Sequence, residues 1–182
     1  KSAGAQVNSG TTTVNAKTSV NYTAADLFDD TINIATTADS TAFTATLAGG
    51  AKNDVFTIVG GAKQTSITVT GNLGAGTNKV TTTLNNSDSS TGQTVNLSGL
   101  TGSDKTTTTT STVLTAEADS AITYTGSAMN DTITIDATSS TAWNTANTKA
   151  ISISDSTTTD TDTLVLKTVT GGTKDIGFTS LS

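Results

Sequence analysis

Leu47-Ala-Gly49-Gly-Ala-Lys-Asn-Asp54-Val-Phe56-Thr-Ile58 reads as the end of one strand, a tight reversal and the start of another. Phe56 and Ile58 lie two and four positions after Asp54, the spacing that puts alternate side chains on one strand face. Gly49 follows the alternating set Phe43, Ala45 and Leu47, at a point where a reversal favours a residue free to take positive φ. The frame recurs. With the Asp or Asn before each strand as its anchor, the copies begin at Asp30, Asp54, Asn78, Asp104, Asp131 and Asp162, at intervals of 24, 24, 26, 27 and 31 residues. Apolar residues occupy the second and fourth positions after the anchor at Ile32/Ile34, Phe56/Ile58, Ile133/Ile135 and Leu164/Leu166. Val80 matches once, with Leu84 extending its alternation, and Asp104 is followed by Thr106 and Thr108 instead.

A second strand precedes each later anchor, at Phe43/Ala45/Leu47, Ile67/Val69, Val95/Leu97, Ile122/Tyr124 and Ile151/Ile153. Gly71, Gly99 and Gly126 follow three of these as Gly49 follows the first, and Asp155 takes the place of the fifth glycine. The turn from second strand to anchor is short and regular, whereas the opposite turn varies freely. Ile176 and Phe178 add a closing strand. Two strands and two turns per roughly 25 residues predict an all-β, parallel β-solenoid or β-roll, whose coils stack about 4.8 Å apart. Inward Ile, Val, Leu and Phe form a narrow core, and Thr and Asn ladders cover the outside. An antiparallel β-sandwich built from the same short strands is the alternative, because the interval drifts.

Composition narrows the function. Only 33% of the 182 residues are hydrophobic and 4% aromatic, too little for a wide core but enough for a thin repeated one. About a quarter are Thr, whose β-branch suits a pleated, half-buried surface. Pro is absent and only 13% of residues are charged, which together with the clear alternation argues against disorder. The chain lacks Cys, His and Arg, and its one Glu is Glu117. That removes disulfides, thiolate or imidazole metal ligands, the commonest general base and the phosphate-clamping guanidinium. A net charge of −6 with scattered Lys leaves nothing to neutralise a nucleic-acid backbone, so no nucleic acid is expected as a partner. No apolar stretch approaches the length of a transmembrane segment. Nothing at Lys1 resembles a leader, and residues 1–182 are expected to be a single repetitive segment of a longer secreted protein.

An enzyme would have to work with carboxylates alone. Asp29 and Asp30 are adjacent and point to opposite faces, and Asp160/Asp162 sit in the polar turn Thr157-Thr-Thr-Asp160-Thr-Asp162. With few aromatic platforms besides Trp143, Tyr22 and Tyr124, the chain is expected not to be an enzyme. Trp143 is expected to anchor a loop.

Gly49-Gly50-Ala-Lys-Asn53-Asp54-Val-Phe56-Thr resembles a degenerate repeats-in-toxin nonapeptide, G-G-x-G-x-D-x-U-x with U a large apolar residue. Gly126-Ser-Ala-Met-Asn130-Asp131-Thr-Ile133-Thr keeps the first Gly, the Asp and the apolar residue, and Gly99-Leu-Thr-Gly102-Ser-Asp104 keeps the first and fourth positions. The resemblance implies a β-roll with Ca2+ between turns, and Asp30, Asn53, Asp54, Asp104, Asn130 and Asp131 as candidate metal ligands. Calcium is a hard cation that takes six to eight oxygens, which suits Asp, Asn and carbonyl-rich turns. The same side chains also serve as turn caps that accept backbone N–H bonds.

The Thr-rich, Cys-free, acidic background also resembles bacterial surface-layer proteins. This implies a secreted, self-assembling structural segment on the bacterial cell surface, ordered by calcium, with neighbouring copies and a cell-surface glycan as expected partners. The alternative is an adhesin or autotransporter-type passenger, or a flagellin outer domain. Flagellin requires heptad-like helical segments at both ends, and none is present between Lys1 and Ser182.

Overall fold

The computed structural model describes residues 10–37, 42–85, 92–103, 105–115, 121–137 and 151–167, and the backbone of 178–181. Among the described residues there are fourteen strands: β1 (Thr11–Ala16), β2 (Ser19–Thr23), β3 (Thr31–Thr36), β4 (Ala42–Ala48), β5 (Val55–Val59), β6 (Ser66–Asn72), β7 (Lys79–Leu84), β8 (Gln93–Thr101), β9 (Thr109–Thr115), β10 (Ile122–Thr125), β11 (Asn130–Asp136), β12 (Ile151–Ser154), β13 (Thr163–Lys167) and β14 (Phe178–Leu181). Odd-numbered strands form one seven-stranded sheet and even-numbered strands the other, each in sequential order. Every pairing is parallel, for example β3 with β5 and β4 with β6. Each strand therefore bonds to the strand one coil away. The stacked coil is present, and the antiparallel sandwich is not.

The core follows from alternation. Phe43, Ile67, Val95, Tyr124 and Ile153 occupy successive positions of one inward column of the even sheet. Ile34, Ile58, Thr82, Thr112, Ile133 and Leu164 make the facing kind of column in the odd sheet. No coil can bury its own apolar edge alone, so each is stabilised by its neighbours. Tyr22 meets Phe56 edge to face at 6.2 Å, a favourable aromatic geometry.

Two expectations change in detail. The glycine at the end of a second strand serves close approach more than positive φ. A Cβ on Gly49 would fall 1.9 Å from the Leu73 carbonyl oxygen of the next coil, and of the glycines expected at these turns only Gly71 has positive φ, at 123°. The fourth repeat is also displaced. Lys79 pairs with Thr109, so Thr108 stands where an anchor would follow Asn78. Asp131 then pairs with Thr110, placing it in the inward column that holds Ile32, Phe56 and Val80. Asp104, Trp143 and Ile176 lie outside the described residues.

Candidate metal centre on the acidic edge

The short turns that lead from even to odd strands gather the anchors along one edge of the stack. Their side chains bind across coils. Asp54 Oδ1 accepts the backbone N–H of Asp30 at 3.1 Å, and Asn78 Oδ1 accepts that of Asp54 at 2.8 Å. Farther along, Asp162 Oδ1 accepts the N–H of Asp131 at 2.9 Å. Asp54, Asn78 and Asp162 each therefore satisfy a main-chain N–H of the coil before.

A second, exposed ladder runs beside the first. Asp29 Oδ1 accepts the N–H of Asn53, Asn53 Oδ1 accepts that of Thr77, and Asn130 Oδ1 accepts that of Thr161, at 3.0, 2.7 and 2.9 Å. Asn53 and Asn130 are thus brought to the same edge as the anchors, one position earlier in the chain.

Asp30, Asp54 and Asp131 also cap within their own turns. Asp30 Oδ2 accepts from Ala25 N at 2.8 Å, and Asp54 Oδ2 from Gly50 N at 3.0 Å. Asp131 Oδ2 accepts from Ser127 N at 2.6 Å, while its Oδ1 accepts from the hydroxyls of Ser127 and Thr110. Asp30, Asp54 and Asp131 are buried at 3%, 0% and 2% exposure. Burial pushes Asp54 above the ordinary carboxylate range, against the lowering effect of the Gly50 and Asp30 N–H groups. Burial likewise pushes Asp131 up to about 6, opposed by its bonds to Thr110 and Ser127. With both oxygens of Asp54 and Asp131 engaged by protein donors, these two side chains act as caps within the fold.

A different set of carboxylates is free enough to hold a cation. In the turn from β12 to β13, Asp155, Asp160 and Asp162 each bring one carboxylate oxygen within 4.8 Å of the others. Asp155 Oδ2 accepts from Thr157 N at 2.7 Å, and Asp160 Oδ2 from the Thr157 hydroxyl at 2.8 Å, so Thr157 orients both. Burial pushes Asp162 upward, and the negative charges of Asp155 and Asp160 add to that. Beside them lies a cavity of about 240 Å³, whose lining includes Tyr124, Gly126, Asp131, Asp155 and Asp162. The donor set is all oxygen and suits a hard divalent cation such as calcium.

Sequence reasoning placed Asp131 and Asp162 at this edge as anchors but named none of Asp155, Asp160 and Asp162 as a metal ligand. The available signal was Asp155 itself, an acid standing where the earlier copies carry glycine. No protein-family model, curated protein or solved structure matches the chain.

Proposed function

We propose that the chain is a structural module of a secreted, surface-layer-type bacterial protein, which acts by repetition and self-association and not by catalysis. The observation that carries this reading is the even sheet. None of β2, β4, β6, β8, β10 and β12 contains a charged residue. Their outward side chains form columns across the coils, such as Ser19, Thr44, Thr68, Asn96, Thr125 and Ser154. A neutral face of hydroxyls and amides costs little to desolvate beside a charged one, and a parallel stack repeats the same contacts at every coil.

The mechanism follows. Identical flat faces pack side by side, each contact weak and the array held by their number. Thr44→Lys with Thr68→Lys places two like charges at adjacent positions of that column. The expected result, by light scattering and electron microscopy of the protein, is loss of ordered assemblies with an unchanged circular dichroism spectrum. Wild-type protein that stays monomeric at high concentration, or assembly that survives both substitutions, would overturn the reading. Specific retention of the monomer on a cell-surface glycan would instead favour adhesion.

A further inference from the structure

We propose that the stack docks end to end on a second copy of this chain, the β13 end of one copy meeting the β1 end of the next. The joint uses the ends of the stack and does not depend on how the neutral faces pack. β1 and β13 are the outermost strands of the odd sheet, and among the described residues neither has a neighbour on its outer side. Every coil runs parallel to the next, so the two ends differ and each complements the other. Such a joint is heterologous and can repeat without closing. It continues the contact that already joins every coil to its neighbour.

The main chain sets the polarity of the joint. Thr31 N donates to Gly10 O and Val55 N to Asp30 O, so residues with outward side chains bond to the coil before. Ala137, an inward residue, donates instead to Lys167 O in the coil after. By this rule the N–H and C=O groups of Thr11, Thr13 and Asn15 point off the β1 end, and those of Leu164 and Leu166 off the β13 end. In straight register Asn15 N meets Leu164 O, and Leu166 N meets Asn15 O. Proteins blunt such edges with Pro, charge or a bulge, and β1 carries none of these.

Side-chain packing agrees. The inward column that starts at Val14 and Ile34 finishes at Ile133 and Leu164. Ile34 and Ile133 are 1% and 4% exposed, but Val14 and Leu164 are only partly buried, and Leu166 beside Leu164 is 40% exposed. Setting Leu164 on Val14 and Leu166 on Ala16 gives both leucines the cover that β13 gives Ile133 and Ile135. A second copy fits as the occupant because β2 and β14 lie at the corresponding ends of the even sheet, so both sheets extend across the joint at once. The same register brings Lys167 opposite Lys17. Both are exposed, so their repulsion is weak and is screened by salt.

The test is sedimentation velocity over a concentration series, with Thr44→Lys and Thr68→Lys present throughout to remove side-by-side packing. Elongated oligomers that grow with concentration and strengthen with added salt are expected. Thr13→Pro removes an outward-pointing N–H of β1 and no bond within the stack, and Leu166→Lys puts a charge on the β13 end. Each alone is expected to weaken association by about ten-fold or more, with an unchanged circular dichroism spectrum. Mixed one to one, the two variants retain one good end of each kind and are expected to form a dimer that grows no further. Disulfide trapping covers the case in which an end variant does not fold. Straight register sets Asn15 beside Val165 at about 4.8 Å, so copies carrying Asn15→Cys are expected to cross-link to copies carrying Val165→Cys more than to themselves. Labels diluted into unlabelled protein keep distances within one copy apart from the joint. A monomer at every concentration would mean that the chain's own segments cover the ends, and would overturn the proposal. Association that survives both end variants, or cross-linking between like copies only, would overturn it equally.

Discussion

At Asn78 the side-chain amide donates to the carbonyls of Leu73 and Ala75 at 2.9 and 3.0 Å, while its oxygen accepts from Asp54 N. One coil earlier, Asp54 faces two N–H groups, those of Asp30 and Gly50. The alternation of Asp and Asn at the anchor is therefore decided by whether the turn offers it donors or acceptors. Asn78→Asp would set a carboxylate against two carbonyls in a buried turn, and denaturant unfolding is expected to register a loss of about 2–4 kcal/mol. Asp54→Asn aims an NH2 at an N–H group and is expected to cost about 1–3 kcal/mol. Asp131→Asn should be milder, because the hydroxyls of Ser127 and Thr110 can reverse to accept. The same residue predicts a pH dependence. Asp131 is raised from 3.8 to about 6, so the folded chain holds a proton that the unfolded chain releases. Its contribution to stability is complete below about pH 4, declines as pH rises towards about 6 and is flat above that. Melting temperatures in chelator across that window are expected to fall with pH, by the equivalent of 1–3 kcal/mol in order of magnitude, and Asp131→Asn is expected to flatten the slope.

Among the strands, β7 and β9 line part of the interior with threonine. Thr82 and Thr112 occupy inward positions between Ile58 and Ile133, fully buried, with hydroxyls that have no partner. Thr82→Val and Thr112→Val remove those hydroxyls at nearly constant volume. Each is expected to raise stability by about 1 kcal/mol in denaturant unfolding, whereas Phe56→Ala is expected to cost about 3–5 kcal/mol. These strands also mark the limit of legibility. Wherever Ile, Val, Leu or Phe alternate, as at Ile32/Ile34 or Phe43/Ala45/Leu47, period-2 patterning located the strand and its inward face. In β9 the inward residues are Thr110, Thr112 and Leu114, so threonine hides the alternation and the local pattern points to Asp104 as the anchor. β1 escaped notice for the same reason, with Thr12, Val14 and Ala16 facing inward and only partly buried. The candidate site was half legible. Asp131 and Asp162 followed from their spacing, but the approach of Asp155 and Asp160 to Asp162 depends on how the turn from β12 to β13 folds, which is not written in local pattern.

Taken as one molecule, the chain separates its chemistry by surface. Neutral hydroxyl and amide columns cover the even sheet, and carboxylates collect on the edge of short turns, where the coils are clamped to each other by their anchors. Both the neutral face and the acidic edge exist only because one coil lies in register on the next. The parallel stack is therefore the claim on which the rest depends. Thr13, Asn33, Thr57, Thr81, Ser111, Thr132 and Thr163 form one outward column through all seven strands of the odd sheet. The chain has no native Cys, so cysteines placed in pairs along this column can carry spin labels without interference. Pulsed electron–electron distances tested on Thr13→Cys with Thr81→Cys, Ser111→Cys or Thr163→Cys measure the stack directly. The account predicts separations that grow by one strand spacing per coil, near 14, 19 and 29 Å at about 4.8 Å each, broadened by the label arms. Distances that fail to increase in that order, or a Thr13–Thr163 pair closer than Thr13–Thr81, would contradict it.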